Sequence, residues 1–408
     1  MASRLSQNIF SLVTLKGIDY LLNFLMLPFL LRTLGAERFG AIVFTQSIVQ
    51  YFVLIVDYGF NMTAPRDIAR AKDQSEIARI FSSVMSAKLI MLGAISIFSL
   101  LTIETLDSIV EIDLLLFLAT FPIAIGNLMF PVWFFQGIQQ MKYITISSTI
   151  ARASILLLLF ATVKSPEDYL TAAFLQSCFM LIAGILSLGI ILKSHRYVFM
   201  IPKFSEIRQA FSDGWQIFLS TVAINLYTTT NTVVLGALTS NATVGFFSAA
   251  MKLIDAVKGL MGAISQAVYP HISAQKDRAV QFIWKFGKIF VGLCLGISIG
   301  TFFGAEFIVQ ILFGDGYDES VLILKILAWL PFVISISNVL GIQTMLNFGK
   351  QREFSLILIG AALLDLTAIF PATLFHGAIG VAWISLAVEI FVSVIMIFYV
   401  HHARLLRE

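Results

Sequence analysis

The sequence predicts an all-α integral membrane protein of about twelve transmembrane helices arranged in two six-helix lobes, and three observations predict it. Of its 408 residues, 58% are hydrophobic and only 12% are charged, with a mean hydropathy of +0.91; such a chain cannot cover itself with a water-soluble surface. Apolar stretches of about 20 residues, enough to cross the hydrocarbon core as a helix, recur from near the N-terminus to Tyr399. Lysine and arginine are concentrated in alternate loops, as expected of a multi-pass chain.

The spans fall at approximately 6–31, 39–62, 78–102, 113–135, 143–163, 169–192, 213–238, 243–269, 283–303, 320–346, 354–375 and 379–401, each with the length a crossing needs. The first is too long for a signal-peptide core, carries Lys16 and Asp19, and runs into the polar turn Arg32–Arg38 without a small-residue cleavage site, so it is expected to remain on the chain. Gly40 opens the second span, and the basic loop from Arg66 to Arg79 separates it from the third. The acidic loop with Glu104, Asp107 and Glu111 precedes the fourth. That span ends in the connector Phe134-Phe135-Gln136-Gly137, from which the fifth starts near Tyr143. Lys164 marks the turn into the sixth. The stretch from Lys193 to Asp213, containing Pro202, reads as a linker, giving lobes 1–195 and 213–408 around a cytoplasmic segment 196–212. In the second half, Gly245 opens the eighth span, Lys276 to Lys288 form a basic loop before the ninth, and Glu306 to Glu319 form an acidic one before the tenth. Lys350 and Arg352 lead into the eleventh span, and the twelfth ends at His401-His402.

With a cytoplasmic N-terminus, the cytoplasmic segments hold 18 basic residues, from Arg4 to Arg407, and the opposite side holds 3: Arg32, Arg38 and Lys164. Both termini are therefore expected on the cytoplasmic side of the membrane. The net charge of +3 reflects this asymmetry and gives no reason to expect a nucleic-acid partner. Cys178 and Cys294 fall inside spans and form no disulfide or metal framework.

A weak internal duplication is visible. The connector from Phe134 to Tyr143 is echoed by Met345 to Phe354, and the turn at Gly40 by Gly245. Six spans per repeat keep both halves in one orientation, the pattern of parallel repeats.

Helical periodicity locates the polar faces. Asn8, Ser11, Lys16, Asp19 and Asn23 share an arc of the first span, and Gln46, Gln50, Asp57 and Asn61 an arc of the second. Thr221, Asn225, Thr228, Thr229 and Thr232 share one on the seventh, and Ser248, Lys252, Asp255, Gly259, Gly262 and Gln266 one on the eighth. The threonine-rich stripe fits a cavity wall and interhelical hydrogen bonding equally well. The stripes bearing charge favour a water-filled cavity, because a charge is a costly way to join helices.

Charge inside the apolar runs is mostly basic: Lys16, Lys88, Arg152, Lys252, Lys258 and Lys325. Facing lipid, each would cost roughly 2.5–3.5 kcal/mol, so a cavity accepting an anion is the expectation. Lys16 with Asp19, and Lys252 and Lys258 with Asp255, also have the spacing of neutralising pairs. Lys88 and Arg152 lie toward the cytoplasmic ends of their spans, where they either snorkel to headgroups or serve a rim. Lys325 lies toward the periplasmic end of its span, and Arg32 and Arg38 either form an outer rim or stabilise a turn with Glu37. Among the acids, Asp365, Asp57 and Glu389 are candidates for coupling to a proton or sodium ion. Asp365 leads because its own helix offers it no basic neighbour, whereas Glu389 sits on a twelfth span expected to be peripheral.

The run Arg32-Thr33-Leu34-Gly35-Ala36-Glu37-Arg38-Phe39-Gly40, then Gln46-Ser47-Ile48-Val49-Gln50-Tyr51-Phe52, Asp57-Tyr58-Gly59-Phe60-Asn61 and Arg66-Asp67-Ile68-Ala69-Arg70, resembles the N-terminal signature of bacterial O-antigen and polysaccharide (Wzx-like) flippases. These belong to the superfamily that also holds the MATE drug exporters and the peptidoglycan lipid flippase. The resemblance implies a MATE-like fold and transport of an undecaprenyl-diphosphate-linked oligosaccharide from the cytoplasmic to the periplasmic leaflet by alternating access. It further implies a cationic lumen for the diphosphate, with membrane lipids and other polysaccharide-assembly membrane proteins as partners. Such a lumen suits the bases above, since diphosphate pairs strongly with lysine and arginine at low dielectric.

Catalysis finds no footing. Gly287-Lys288 and Gly349-Lys350 lack a Walker A context, and no histidine spacing suits zinc, so no metal or cofactor beyond a coupling ion is expected. A polymerase or ligase would need a large outer loop, and the outer loops here are short. The competing function is a MATE-type multidrug or cation antiporter of the same fold, whose substrates would favour an acid-lined cavity.

Overall fold

The computed structural model describes residues 2–109, 113–194, 200–274 and 279–406; the side chains of 1–21, 23 and 24 and of several shorter stretches lie outside the described residues. Every regular element described is a helix. The order is α1 (Ala2–Asp57), α2 (Phe60–Arg70), α3 (Gln74–Ile109), α4 (Leu114–Thr120), α5 (Pro122–Met129), α6 (Val132–Gly137), α7 (Lys142–Thr162) and α8 (Tyr169–Ser194). It continues with α9 (Phe204–Thr228), α10 (Thr230–Leu238), α11 (Asn241–Ala274), α12 (Ala279–Leu312), α13 (Asp318–Leu327), α14 (Leu330–Ser337), a π-helical stretch Asn338–Leu346 and α15 (Gln351–His402).

Helix lengths require some of these elements to be double. With 56 residues, α1 would run about 84 Å if straight, far more than one bilayer. Gly35, at φ 75° and ψ 170°, breaks it in a backbone region that glycine reaches without strain. The same holds for α15, whose 52 residues are broken at Gly377, φ 52°. Among the described residues, eight helical stretches are long and apolar enough to cross a membrane, and Leu25–Arg70 and Gln351–His402 are the two longest. The fourth expected span is a broken rod, α4 to α6, interrupted before Pro122 and at Pro131, where proline removes a backbone donor. The seventh is likewise two pieces, α9 and α10, meeting at Thr229.

The chain divides into two compact units, one of Met1–Gly35 with Ile42–Val222, the other of Ala36–Ala41 with Ala223–Glu408. The division falls at Val222, beyond the expected linker 196–212, because the first half of α9 packs in unit 1. There Tyr58 stacks on Phe218 at 4.6 Å and meets Phe211 edge-on at 5.1 Å. The core of unit 1 gathers Phe60, Phe81, Trp133, Phe134, Phe135 and Ile191. Unit 2 has one cluster around Met261, Ile283 and Phe290, and another around Met345, Val388 and Met396. Cys294 is buried and Cys178 half-buried, both as free thiols.

The two echoed connectors end alike in backbone hydrogen bonds. After α6, Gln140 N donates to Phe135 O (2.8 Å) and Gln139 N to Gln136 O (3.1 Å); after the π-helical stretch, Lys350 N donates to Met345 O (2.8 Å) and Gly349 N to Leu346 O (3.2 Å). Both are Schellman endings with a left-handed residue at the same place, Gln139 at φ 58° and Gly349 at φ 74°. Positions 140 and 350 are 210 residues apart, one fewer than the sequence echo suggests. The second echo pair meet each other inside unit 2: a Cβ on Gly40 would strike Asn241 O, and one on Gly245 would strike Ala36 O. Two helix backbones thus touch where both residues lack a side chain.

Candidate functional site

Each unit buries ionisable groups inside its helical packing. In unit 1, α1 ends at Asp57 because Tyr58 and Gly59 turn left-handed (φ 42° and 79°) before α2 begins. That end presents the Asp57 carboxylate to Lys88 of α3, whose Nζ lies 2.8 Å from Asp57 Oδ1. The same Nζ donates to Asn127 O and Asn127 Oδ1, each at 3.3 Å, and Asn127 Nδ2 donates to Asp57 Oδ2 at 3.4 Å. The ammonium thus has two hydrogen-bond acceptors on Asn127 and an ion-pair partner in Asp57. Lys88 is only 1% exposed, so it neither snorkels nor forms a rim as its sequence position suggests. Removal of this charge from water is tolerated because ion pair and hydrogen bonds are supplied together.

In unit 2, α10, α11, α14 and the two halves of α15 enclose a cavity of about 270 Å³. Asp365, Glu389, Asp255 and Lys258 line it, with Asn231 and Ser385. Asp365 is 1% exposed, and its Oδ1 accepts from Asn231 Nδ2 at 3.3 Å. Its Oδ2 and Asn231 Oδ1 have no hydrogen-bond partner among the described residues. Asn231 Nδ2 also reaches Ser385 Oγ at 3.5 Å. Lys258 pairs with Asp255 at 2.8 Å, one helical turn away, both side chains partly exposed. The turn at Gly377 folds the second half of α15 back and brings Glu389 into this cavity, so the twelfth span is not peripheral here. Open carboxylate and amide oxygens offer a small cation hard ligands of the kind it prefers. Among the described residues, no group of three or more His, Cys, Asp and Glu side chains is placed to hold a metal.

Residues 5–276 match the family described as polysaccharide biosynthesis protein. The chain belongs to that family. This polysaccharide biosynthesis protein is 37% identical to a chain from Escherichia coli (strain K12) named as an O-antigen transporter, over 98% of each. It is 32% identical to a likewise named chain from Shigella dysenteriae, over 96% of this chain and 99% of that one. Its fold is that of the lipid II flippase MurJ (TM-score 0.79, 14% identity, 95% of this chain and 87% of that one). A MATE-family multidrug resistance transporter shares it too, at TM-score 0.74 and 13% identity over 96% and 94% of the two chains. The chain is a multi-pass, all-α membrane protein with a MATE-like fold.

The polysaccharide biosynthesis protein places its other charges as follows. Lys252 is exposed and does not line the unit 2 cavity; Lys258 does. Arg152 of α7 is half-buried with its guanidinium 4.3 Å above the Phe179 ring of α8, a cation–π contact. Lys325 pairs with Glu306 at 2.7 Å. Arg32 is exposed just before the break at Gly35, Gln50 is exposed, and Gln46 and Asn225 are partly buried. Asn8, Lys16, Asp19 and Asn23 fall on α1, but their side chains lie outside the described residues. Sequence reasoning missed Asn127, Asn231 and Ser385. A lone amide within the apolar run Pro122–Met129 was the available signal for Asn127.

Proposed function

We propose that this protein is a flippase that moves an undecaprenyl-diphosphate-linked oligosaccharide, such as an O-antigen repeat unit, from the cytoplasmic to the periplasmic leaflet of the bacterial inner membrane. It does so by alternating access, without chemical conversion of the lipid. The observation that carries this is the likeness to chains named as O-antigen transporters along nearly the whole length. Fold likeness to a lipid II flippase agrees with it. Lys252, with Lys16 of α1, is the proposed contact for the diphosphate, because phosphate oxygens pair strongly with cationic side chains; Lys258 is already paired with Asp255 at 2.8 Å. Other membrane proteins of polysaccharide assembly are its proposed partners.

Coupling is assigned to the unit 2 cavity. Its acids, Asp255, Asp365 and Glu389, outnumber its one base, Lys258, so it suits a cation better than the diphosphate. Asp365 receives a proton or sodium ion there, with Asn231 and Ser385 completing the oxygens around it, and Glu389 is the second carrier. Asp57 loses its place as a coupling candidate because Lys88 already neutralises it.

The same acid excess supports a second reading, export of organic cations as in MATE transporters. Complementation of a flippase-null strain separates the two. Restored O-antigen display with unchanged susceptibility to cationic dyes supports the flippase. Altered susceptibility without display overturns it.

A further inference from the structure

A second cavity of unit 2 lies apart from the acidic one. It has a volume of about 490 Å³ and lies between α12, α14 with the π-helical stretch, and the end of α15. Val291, Ile336, Leu340 and Ile397 wall it, while Lys288, His401, Arg404 and Trp284 also line it. Trp284 and Lys288 are one helical turn apart on α12, and both are exposed. Lys288, His401 and Arg404 make no ion pair among the described residues.

The basic side is built into the fold. Arg404 is left-handed, φ 52°, within a Schellman ending in which Arg404 N donates to His401 O and Leu405 N to Val400 O, each at 3.2 Å. Left-handed backbone at a non-glycine residue costs about 1 kcal/mol. What it secures is the return of Leu406 onto both apolar clusters of unit 2, which leaves Arg404 beside the groove mouth. An apolar slot lined at one end by two permanent cations, a histidine and a tryptophan has the chemistry of a membrane–water boundary, with the tryptophan at headgroup depth. Basic pockets between helices at the cytoplasmic side are suited to anionic headgroups, and the basic-loop bias puts these residues on that side.

We propose that this groove is a binding site for an anionic phospholipid of the cytoplasmic leaflet, one acyl chain lying along Val291, Ile336, Leu340 and Ile397 and the phosphate held by Lys288 and Arg404. Charge complementarity decides the occupant: a zwitterionic lipid would fill the slot equally well, but its own ammonium competes with Lys288 and Arg404 for the phosphate and brings no net negative charge to offset them.

Native mass spectrometry of the full chain in detergent, titrated with phosphatidylglycerol or phosphatidylcholine of equal chain length, tests this. Each cation near a membrane surface is worth about fivefold in binding an anion, so two give a preference of about 30-fold for phosphatidylglycerol. Lys288→Gln with Arg404→Gln removes it, and Lys288→Gln alone lowers it about fivefold. Ile397→Trp, which fills the slot from an exposed position, abolishes tight binding of both lipids. Lys142→Gln with Lys193→Gln, two exposed bases of unit 1, leaves the preference unchanged. The proposal falls if the paired α12 and α15 substitutions leave the preference intact, if the unit 1 control loses it equally, or if the filled variant still binds. It falls equally if undecaprenyl phosphate displaces phosphatidylglycerol at a tenth of its concentration, which would assign the groove to the tail of the transported lipid.

Discussion

Lys88 and Asp57 meet at 2.8 Å, with the lysine all but sealed from solvent at 1% exposure. Two charges within an apolar helical unit are held there by Asn127, which bonds to both. Lys88→Met strands the Asp57 carboxylate and is expected to destabilise unit 1 by about 3 kcal/mol, the low end for a broken buried pair because Asp57 keeps some exposure. Asp57→Leu combined with Lys88→Met recovers most of that loss. Thermal unfolding of the two single variants and the double variant in detergent measures the coupling; additive losses contradict it.

Gly40 has no room for a side chain, since a Cβ would collide with Asn241 O. Gly40→Ala is expected to cost about 1–3 kcal/mol through overpacking. Gly93, on α3, faces open space, and Gly93→Ala is expected to gain about 0.5–1 kcal/mol from lower chain entropy. Melting temperatures of the two variants should move in opposite directions.

Asp365→Asn keeps the shape of the side chain and removes its charge. If the buried carboxylate carries the coupling ion, transport falls at least tenfold while the melting temperature holds or rises, because a costly buried charge is gone. Ser385→Ala should weaken the dependence of transport on the driving ion. Unchanged transport in Asp365→Asn would move coupling to Glu389.

Asp73 caps the first turn of α3 outside the membrane, accepting from Ser75 Oγ at 2.7 Å and Glu76 N at 2.9 Å. The Ser75 hydroxyl bond first, then the Glu76 backbone bond, hold its carboxyl below the usual carboxylate range. A lowered folded-state value means the cap stabilises above about pH 4, the unfolded value, and the contribution is lost as pH falls through the folded value. Asp73→Asn, which retains capping geometry, should flatten the acid limb of a plot of melting temperature against pH and leave the neutral region nearly unchanged.

What was legible in the sequence follows physical locality. Fold class could be read because apolar length is a property of contiguous residues. Gly40 and Gly245 were legible as a repeat, though not as each other's neighbours. Asp365 stood out because its own helix offers no counter-charge, and that test needs only helical spacing. Lys88 was misread for the complementary reason: its partner, Asp57, lies on another helix, and helix-end position alone made it look free to snorkel. Glu389 seemed peripheral until the left-handed Gly377 folded α15 on itself. Asn127, Asn231 and Ser385 were invisible because single amides and hydroxyls in apolar runs become informative only when the groups they face are known.

The most direct test of the central claim is leaflet accessibility of a fluorescent undecaprenyl-diphosphate oligosaccharide in proteoliposomes of the purified protein. The account predicts ion-gradient-dependent movement of the lipid between leaflets by the wild type, and at least a tenfold slower movement by Asp365→Asn at equal reconstitution. Protein-independent movement, or transport of an organic cation with the lipid left in place, would contradict it.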